Sequence, residues 1–302
     1  MSATGAARPG AIEKPSGKGA ADENFPVGSW LLPGRLRPHV ATYYAFARAA
    51  DDISDDSELP APDKVARLAR LAQALRGESP GDKEAFKAHR LRDSMAATGV
   101  PVAHGLDLLA AFTQDATKLR YASWGELMSY CRLSASPVGR YLLDLHGEDK
   151  GHWWASDALC DALQVINHLQ DCKADRRALD RVYLPLDWLA EAGTGVEALD
   201  APAASQALRR VLDRCIDGTE ALLAKARHLP GLLRSRHLAA ESAIIVRIAE
   251  RLCVELRRRD PLAERVALTK PQLLSCGLAG AWDALVGRRL PPASAPAPQS
   301  LL

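Results

Sequence analysis

From about residue 36 to residue 287, apolar side chains recur at helical spacing, and strand-like alternation of β-branched residues is nearly absent. That pattern restricts the chain to an all-α fold, because a sheet cannot be built from segments whose apolar positions repeat every three or four residues. Helices are expected at about 36–53, 62–76, 82–98, 101–118, 124–133, 137–147, 155–177, 203–227, 237–259 and 270–287, with short turns at 186–192 and 261–268. The breaks carry the residues that end helices: Pro60 and Pro62, Gly77 to Gly81, Gly99 with Pro101, Pro185, Gly193 to Gly195, and Pro261. No composition shift divides this stretch. One domain over 21–288 is the simplest organisation, its helices surrounding a central space, between a disordered tail at 1–20 and a Pro/Ala-rich one at 289–302.

The helix at 36–53 ends badly for its own electrostatics. Asp51, Asp52, Asp55 and Asp56 crowd its last turns, where the helix already carries partial negative charge and like charges four apart cost about 0.2–0.5 kcal/mol each. A fold that retains them needs something positive there, and a divalent cation is the direct candidate. At about 100° per residue, Tyr44, Arg48, Asp51 and Asp55 fall within about 60° of one another, while Asp52 and Asp56 point about 70–110° aside.

A second helix repeats the device. Gln164, Asn167, Asp171 and Asp175 form a polar strip over three turns of a segment otherwise rich in Leu163, Val165, Ile166 and Leu169. A long polar strip on so apolar a helix suits a wet cavity. Two facing carboxylate pairs suit magnesium, which takes oxygen ligands from one or two carboxylates and completes its shell with water and substrate phosphates. Held around a diphosphate, such ions promote ionisation of an allylic or cyclopropylcarbinyl ester. Arginines complete a phosphate clamp. Arg48 is favoured by its register, with Arg176, Arg181 and Arg265 as further candidates.

Formal charge is +2, so nucleic-acid binding has no global electrostatic support. The six cysteines are singly spaced and form no C-x-x-C pair, which fits reduced thiols. No apolar leader or membrane-length run occurs, so a cytoplasmic protein is expected, at most peripheral to the inner membrane. No single helix carries a basic face strong enough to name a docking surface.

These residues resemble the squalene and phytoene synthase family over about 22 to 287. The segment Arg48 to Asp56 looks like that family's first aspartate-rich motif, and Asn167-x-x-x-Asp171-x-x-x-Asp175 its second. Arg181, Tyr183 and Pro185 follow at the usual position, and the segment Tyr130 to Gly139 is similar to one lining the family's cavity. Within the family, the stretches Glu23 to Pro33, Tyr130 to Pro137 and Asn167 to Arg177 are most similar to the branch serving bacterial hopanoid biosynthesis. Members that join two farnesyl diphosphates usually carry small hydroxyl residues where this chain has Asp22 to Pro26, which favours a substrate already condensed.

The resemblance implies an isoprenoid synthase fold using Mg2+. Presqualene diphosphate would ionise, rearrange and be captured by water as hydroxysqualene, with no nicotinamide. It assigns Asp51, Asp55, Asp171 and Asp175 to metal, with Asn167 beside them. Arg48, Tyr44, Gln164, Asn167, Tyr183 and Arg265 would contact substrate, Gln164 positioning the capturing water. Tyr130 would stabilise a carbocation or shuttle a proton, its alternative being a core aromatic. His168 is read as packing and Asp115 as a structural partner. Ala110-Ala111 and the stretch Ser134 to Ser136 would leave room for a C30 chain or else pack helices tightly. Other enzymes of the hopanoid pathway are the partners implied. Head-to-head condensation of farnesyl diphosphate, giving presqualene diphosphate, squalene or phytoene, is the alternative activity. A non-catalytic scaffold of the same fold is the other.

Overall fold

The helical punctuation is realised almost residue for residue in a computed structural model, which describes residues 12–14 and 32–287. The expected tails, most of the Glu23 to Pro33 stretch and the Asp22 to Pro26 segment lie outside the described residues. Twelve α-helices follow in order: α1 Arg37–Asp55, α2 Ala61–Arg76, α3 Phe86–Thr98, α4 Ala103–Asp115, α5 Trp124–Ser134, α6 Ser136–Leu145, α7 Trp153–Leu179, α8 Leu186–Glu191, α9 Gln206–Ala226, α10 Leu229–Leu232, α11 Arg236–Arg258 and α12 Lys270–Gly287. Among the described residues no strand forms; only an isolated bridge pairs Arg120 with Val182.

Local chemistry explains the boundaries. Ser123, Ser205 and Ser235 cap α5, α9 and α11, each hydroxyl accepting a backbone N–H of the first turn. Gly77, at φ 83°, and Gly99, at φ 72°, close α2 and α3 in the left-handed conformation that glycine adopts without strain. The expected helix at 82–98 starts later, because Asp82 caps a short 3-10 turn at Lys83–Ala85 first.

Helix α7 is the axis of the molecule. It packs against α5, α6, α9 and α11. Most of its length up to Cys172 is buried, while the last turns emerge into solvent. A helix apolar on nearly every side belongs in the interior, and α7 fits that rule until its acidic end. Helices α1 to α4 form a second group, with α1 on α3 and α4 and α2 on α4. Between α1 and α7 the two groups leave a space, which α6, α10 and α11 close.

Candidate active site

That space is a cavity of about 330 Å³. Val40, Tyr44 and Ala47 from α1 face Leu159, Leu163, Gln164 and Asn167 from α7 across it, and Leu238 and Ile245 from α11 wall one side. Gly139 of α6 lets the wall close. A Cβ there would meet Ser156 Oγ at 2.4 Å and Cys160 Sγ at 2.6 Å. Tyr44 precedes Arg48 by one helical turn, and Asn167 precedes Asp171 by one turn. The walls formed by α1 and α7 therefore continue directly into the two acidic pairs.

The first pair is half-buried and heavily braced. Arg48 Nη2 lies 2.9 Å from Asp51 Oδ2 and 2.9 Å from Asp52 Oδ1. Asp52, expected to point aside, is buried at 6% exposure because the Arg48 guanidinium takes it inward. Asp55 is held by Arg181, whose Nη1 donates to Asp55 Oδ1 at 2.6 Å while Nη2 donates to the Ser54 carbonyl at 3.0 Å. Burial, then the charge of Asp55, push the Asp51 carboxyl up to about 7, against the pull of Arg48.

The backbone explains how Arg181 reaches across. Asp180 adopts φ 53°, the left-handed conformation aspartate tolerates better than most residues, and ends α7. The Arg181 N–H then donates to the Asp175 carbonyl at 3.2 Å, and the guanidinium turns toward the end of α1. Arg120 fixes the corner, its Nη2 donating to Asp180 Oδ1 at 2.6 Å.

Beneath Arg181 lies a buried network that spacing alone could not reveal. Tyr130 Oη donates to Asp115 Oδ2 at 2.7 Å, and Tyr183 Oη donates to Asp115 Oδ1 at 3.3 Å. Burial raises the Asp115 carboxyl to about 6, even though Arg181 and both hydroxyls favour its charged form. His168 stacks on Tyr183 with ring centroids 3.5 Å apart, and burial beside Arg181 depresses it to about 3, leaving it neutral.

The sequence-derived residues separate into three groups. Tyr44, Gln164 and Asn167 line the cavity. Arg48, Asp51, Asp55, Asp171 and Asp175 stand at the ends of its two principal walls, Asp171 exposed and Asp175 half-buried. Tyr130, Tyr183 and Arg265 do not line it. Tyr130 is 3% exposed with its hydroxyl given to Asp115, and Ser134, one turn further on, is the residue of its helix that faces the space. Arg265 is exposed, its carbonyl accepting from Arg259 Nη2 at 2.9 Å.

Of the small residues, Ser134 and Ala135 line the cavity, but Ser136 turns away to donate to Asp161 at 2.9 Å. Ala110-Ala111 serves packing instead: Ala111 is fully buried and Ala110 exposed. The residues missed were Glu241 and Ser242 of α11, both buried and both lining the cavity. A glutamate on the buried face of α11 was the available signal.

The donors at the acidic ends are hard oxygens, the ligand type that suits magnesium. Among the described residues no three carboxylate, imidazole or thiolate groups cluster tightly enough to hold a metal alone. The donor set therefore fits an ion that takes one or two carboxylates and draws its remaining ligands from water and phosphate. The excess negative charge that raises Asp51 is also what a divalent cation would relieve.

An all-α enclosure around an apolar cavity, with acidic helix ends at its rim, defines an isoprenoid synthase. The chain belongs to the squalene/phytoene synthase family, whose model matches residues 19–272. It is similar to the hydroxysqualene synthase of Rhodopseudomonas palustris, 44% identical over 293 residues, which is 96% of this chain and 99% of that protein. The hydroxysqualene synthase of Zymomonas mobilis is 41% identical over 88% of this chain and 89% of that protein. Among solved structures, squalene synthase HpnC from Alicyclobacillus acidocaldarius matches with TM-score 0.68 and 34% identity, covering 77% of this chain and 87% of that one. A dehydrosqualene synthase at 20% identity shares the fold, with TM-score 0.72 over 87% of this chain and 92% of that one.

Proposed function

We propose that this chain is a hydroxysqualene synthase, converting presqualene diphosphate and water to hydroxysqualene and diphosphate. The observation that carries the reading is the apolar cavity whose α1 and α7 walls run into two acidic pairs. The apolar part suits a hydrocarbon chain, and the charged rim suits a diphosphate. The similarity to hydroxysqualene synthases over most of the chain supports the choice within the family.

Asp51, Asp55, Asp171 and Asp175, with Asn167 alongside, would hold Mg2+, which when bound neutralises the departing diphosphate. Arg48 and Arg181 keep the first pair in place and add positive charge at that rim. The ester C–O bond breaks with its electron pair leaving on diphosphate, and the carbocation remains in the cavity. After rearrangement, the oxygen of a water forms the new C–O bond and a proton is lost. Gln164 is a donor and acceptor able to orient that water, and Ser242 and Glu241 extend the polar part of the wall. The Glu241 carboxylate is suited to accept the proton.

The test is incubation with Mg2+ and purified presqualene diphosphate in heavy-oxygen water, followed by mass analysis. One heavy oxygen in a C30 alcohol is expected. Conversion of farnesyl diphosphate to a C30 diphosphate, with presqualene diphosphate untouched, would overturn the assignment in favour of the condensing reaction.

A further inference from the structure

The part of the cavity farthest from the acidic rim is built around two stacked tyrosines. Helices α1 and α7 face each other across the cavity and both end at that rim, where Arg181, just beyond α7, holds Asp55. Depth in the cavity is therefore measured along either helix. Tyr43 precedes Asp51 and Asp55 by about 12 Å and about 18 Å of helix. On α7, Cys160 precedes Asp171 by about 17 Å. Gly139 of α6 meets α7 at that depth, because a Cβ there would run into Ser156 and Cys160. Tyr141 follows two residues later, and its ring stacks on that of Tyr43 with centroids 4.0 Å apart and planes 11° from parallel. Both tyrosines are buried and both line the cavity.

A closed circuit of contacts backs the pair. Tyr43 Oη donates to the His104 carbonyl of α4 at 3.2 Å. The His104 ring returns to α6, its Nε2 lying 2.9 Å from Asp144 Oδ2, with both side chains buried. Asp144 stands one turn beyond Tyr141, so α1, α4 and α6 are tied together around the two rings. Trp153 packs edge-on against His104, with centroids 5.8 Å apart. Aliphatic side chains elsewhere in the wall can yield by changing rotamer. Two large rings in contact, held from behind, yield only at the expense of the packing around them.

We propose that the Tyr43–Tyr141 pair is a stop that sets the length of prenyl arm this cavity accepts, admitting C15 arms and excluding C20 arms. The proposal rests on the reading of the substrate as a C30 diphosphate whose charged end lies at the acidic rim. With the diphosphate fixed there, the arms run away from the rim toward α6. An arm longer by one isoprene unit has only the far end to enter, and there it meets the rings. Tyr141 is the residue to alter, since the Tyr43 hydroxyl also supports His104.

The first test needs no turnover. It is calorimetric binding, with Mg2+, of farnesyl and geranylgeranyl thiodiphosphates, whose bridging sulfur resists ionisation. A cavity without a stop would hold the longer chain more tightly, because that chain buries more apolar surface. The unaltered protein should instead bind the C15 probe on the order of tenfold more tightly than the C20 probe. Tyr141→Ala should reverse that order, Tyr141→Leu should narrow it roughly threefold, and Tyr141→Phe, which keeps the ring, should retain it. Circular dichroism and thermal unfolding show which variants fold, and the milder Tyr141→Leu carries the test if Tyr141→Ala does not. A second measurement compares turnover of presqualene diphosphate with that of its C40 counterpart bearing C20 arms. Tyr141→Leu should raise the C40-to-C30 ratio of kcat/KM roughly tenfold. The proposal is overturned if the unaltered protein prefers the C20 probe, or if folded Tyr141→Leu keeps the parent's preference in both measurements. Probe binding reads arm length whatever reaction follows, so failure to turn over presqualene diphosphate would remove the proposed function and leave the stop standing.

Discussion

The two acidic motifs share a four-residue spacing but not an environment. At the end of α1, Asp52 is buried, Asp51 and Asp55 are half-buried, and Arg48 and Arg181 bind all three. At the end of α7, Asp171 is exposed and Asp175 half-buried, where the helix has already left the core. The same sequence device therefore yields one half braced by two arginines and one half more open to solvent. Preorganisation lowers the cost of arranging charge during ionisation, whereas a more open half lets ligands exchange as diphosphate enters and leaves.

The strongest way to break this contrast is to neutralise one carboxylate in each half. Asp55→Asn and Asp171→Asn should each lower kcat/KM for presqualene diphosphate by on the order of 10³-fold, the scale of losing one electrostatic element of catalysis. Their stabilities should differ: thermal unfolding of Asp171→Asn should match the parent, while Asp55→Asn melts earlier. Equal melting temperatures would show that the first half is no better braced than the second.

Removing the brace is the next largest effect. Arg181→Ala leaves Asp55 without its partner near a buried position and should cost roughly 2–4 kcal/mol in denaturant unfolding. Arg181→Lys, which keeps the charge but loses the forked contact with the Ser54 carbonyl, should recover only part of it.

A pH effect should separate the halves without touching a brace. The Asp51 carboxyl sits above its unfolded value of 3.8, so the folded protein retains a proton that the unfolded chain releases. That contribution is full below about pH 4 and is lost as pH rises toward 7. In EDTA, the difference in melting temperature between Asp51→Asn and the parent should therefore shift in favour of the variant between about pH 4 and pH 7. Mg2+ should reduce that trend. A pH-independent difference for Asp51→Asn would remove the argument that its carboxyl is strained.

The smallest effect is expected at Arg48. Its guanidinium bridges Asp51 and Asp52, and lysine offers a point charge instead of a fork, so Arg48→Lys should cost about 1 kcal/mol in unfolding and raise KM a few-fold. A neutral result would move the bracing of the first half wholly onto Arg181.

Local chemistry was legible in the sequence to within about four residues, because the proline and glycine stops act on their near neighbours. The polar strip on α7 was also legible as far as Asn167, since helical register fixes direction once the helix is granted. What stayed hidden depends on tertiary contact. Tyr130 was expected at the cavity because its segment lines one, but the hydroxyl is committed to Asp115, fifteen residues earlier in sequence. Glu241 was passed over although it falls on the apolar face of α11, because one carboxylate in sequence does not show what lies opposite it.

The contact between Arg181 and Asp55 spans 126 positions of sequence. During synthesis, the first acidic helix emerges early, yet its companion cation arrives only after the whole of α2 to α7 has been made. Until then the α1 end is a knot of mutually repelling carboxylates with Arg48 as its nearest counterweight. Closing the charged rim thus requires a contact that no stretch of chain shorter than α1 through Arg181 can make. A nascent or truncated chain ending before Arg181 would carry the first motif in full and still lack a finished diphosphate site.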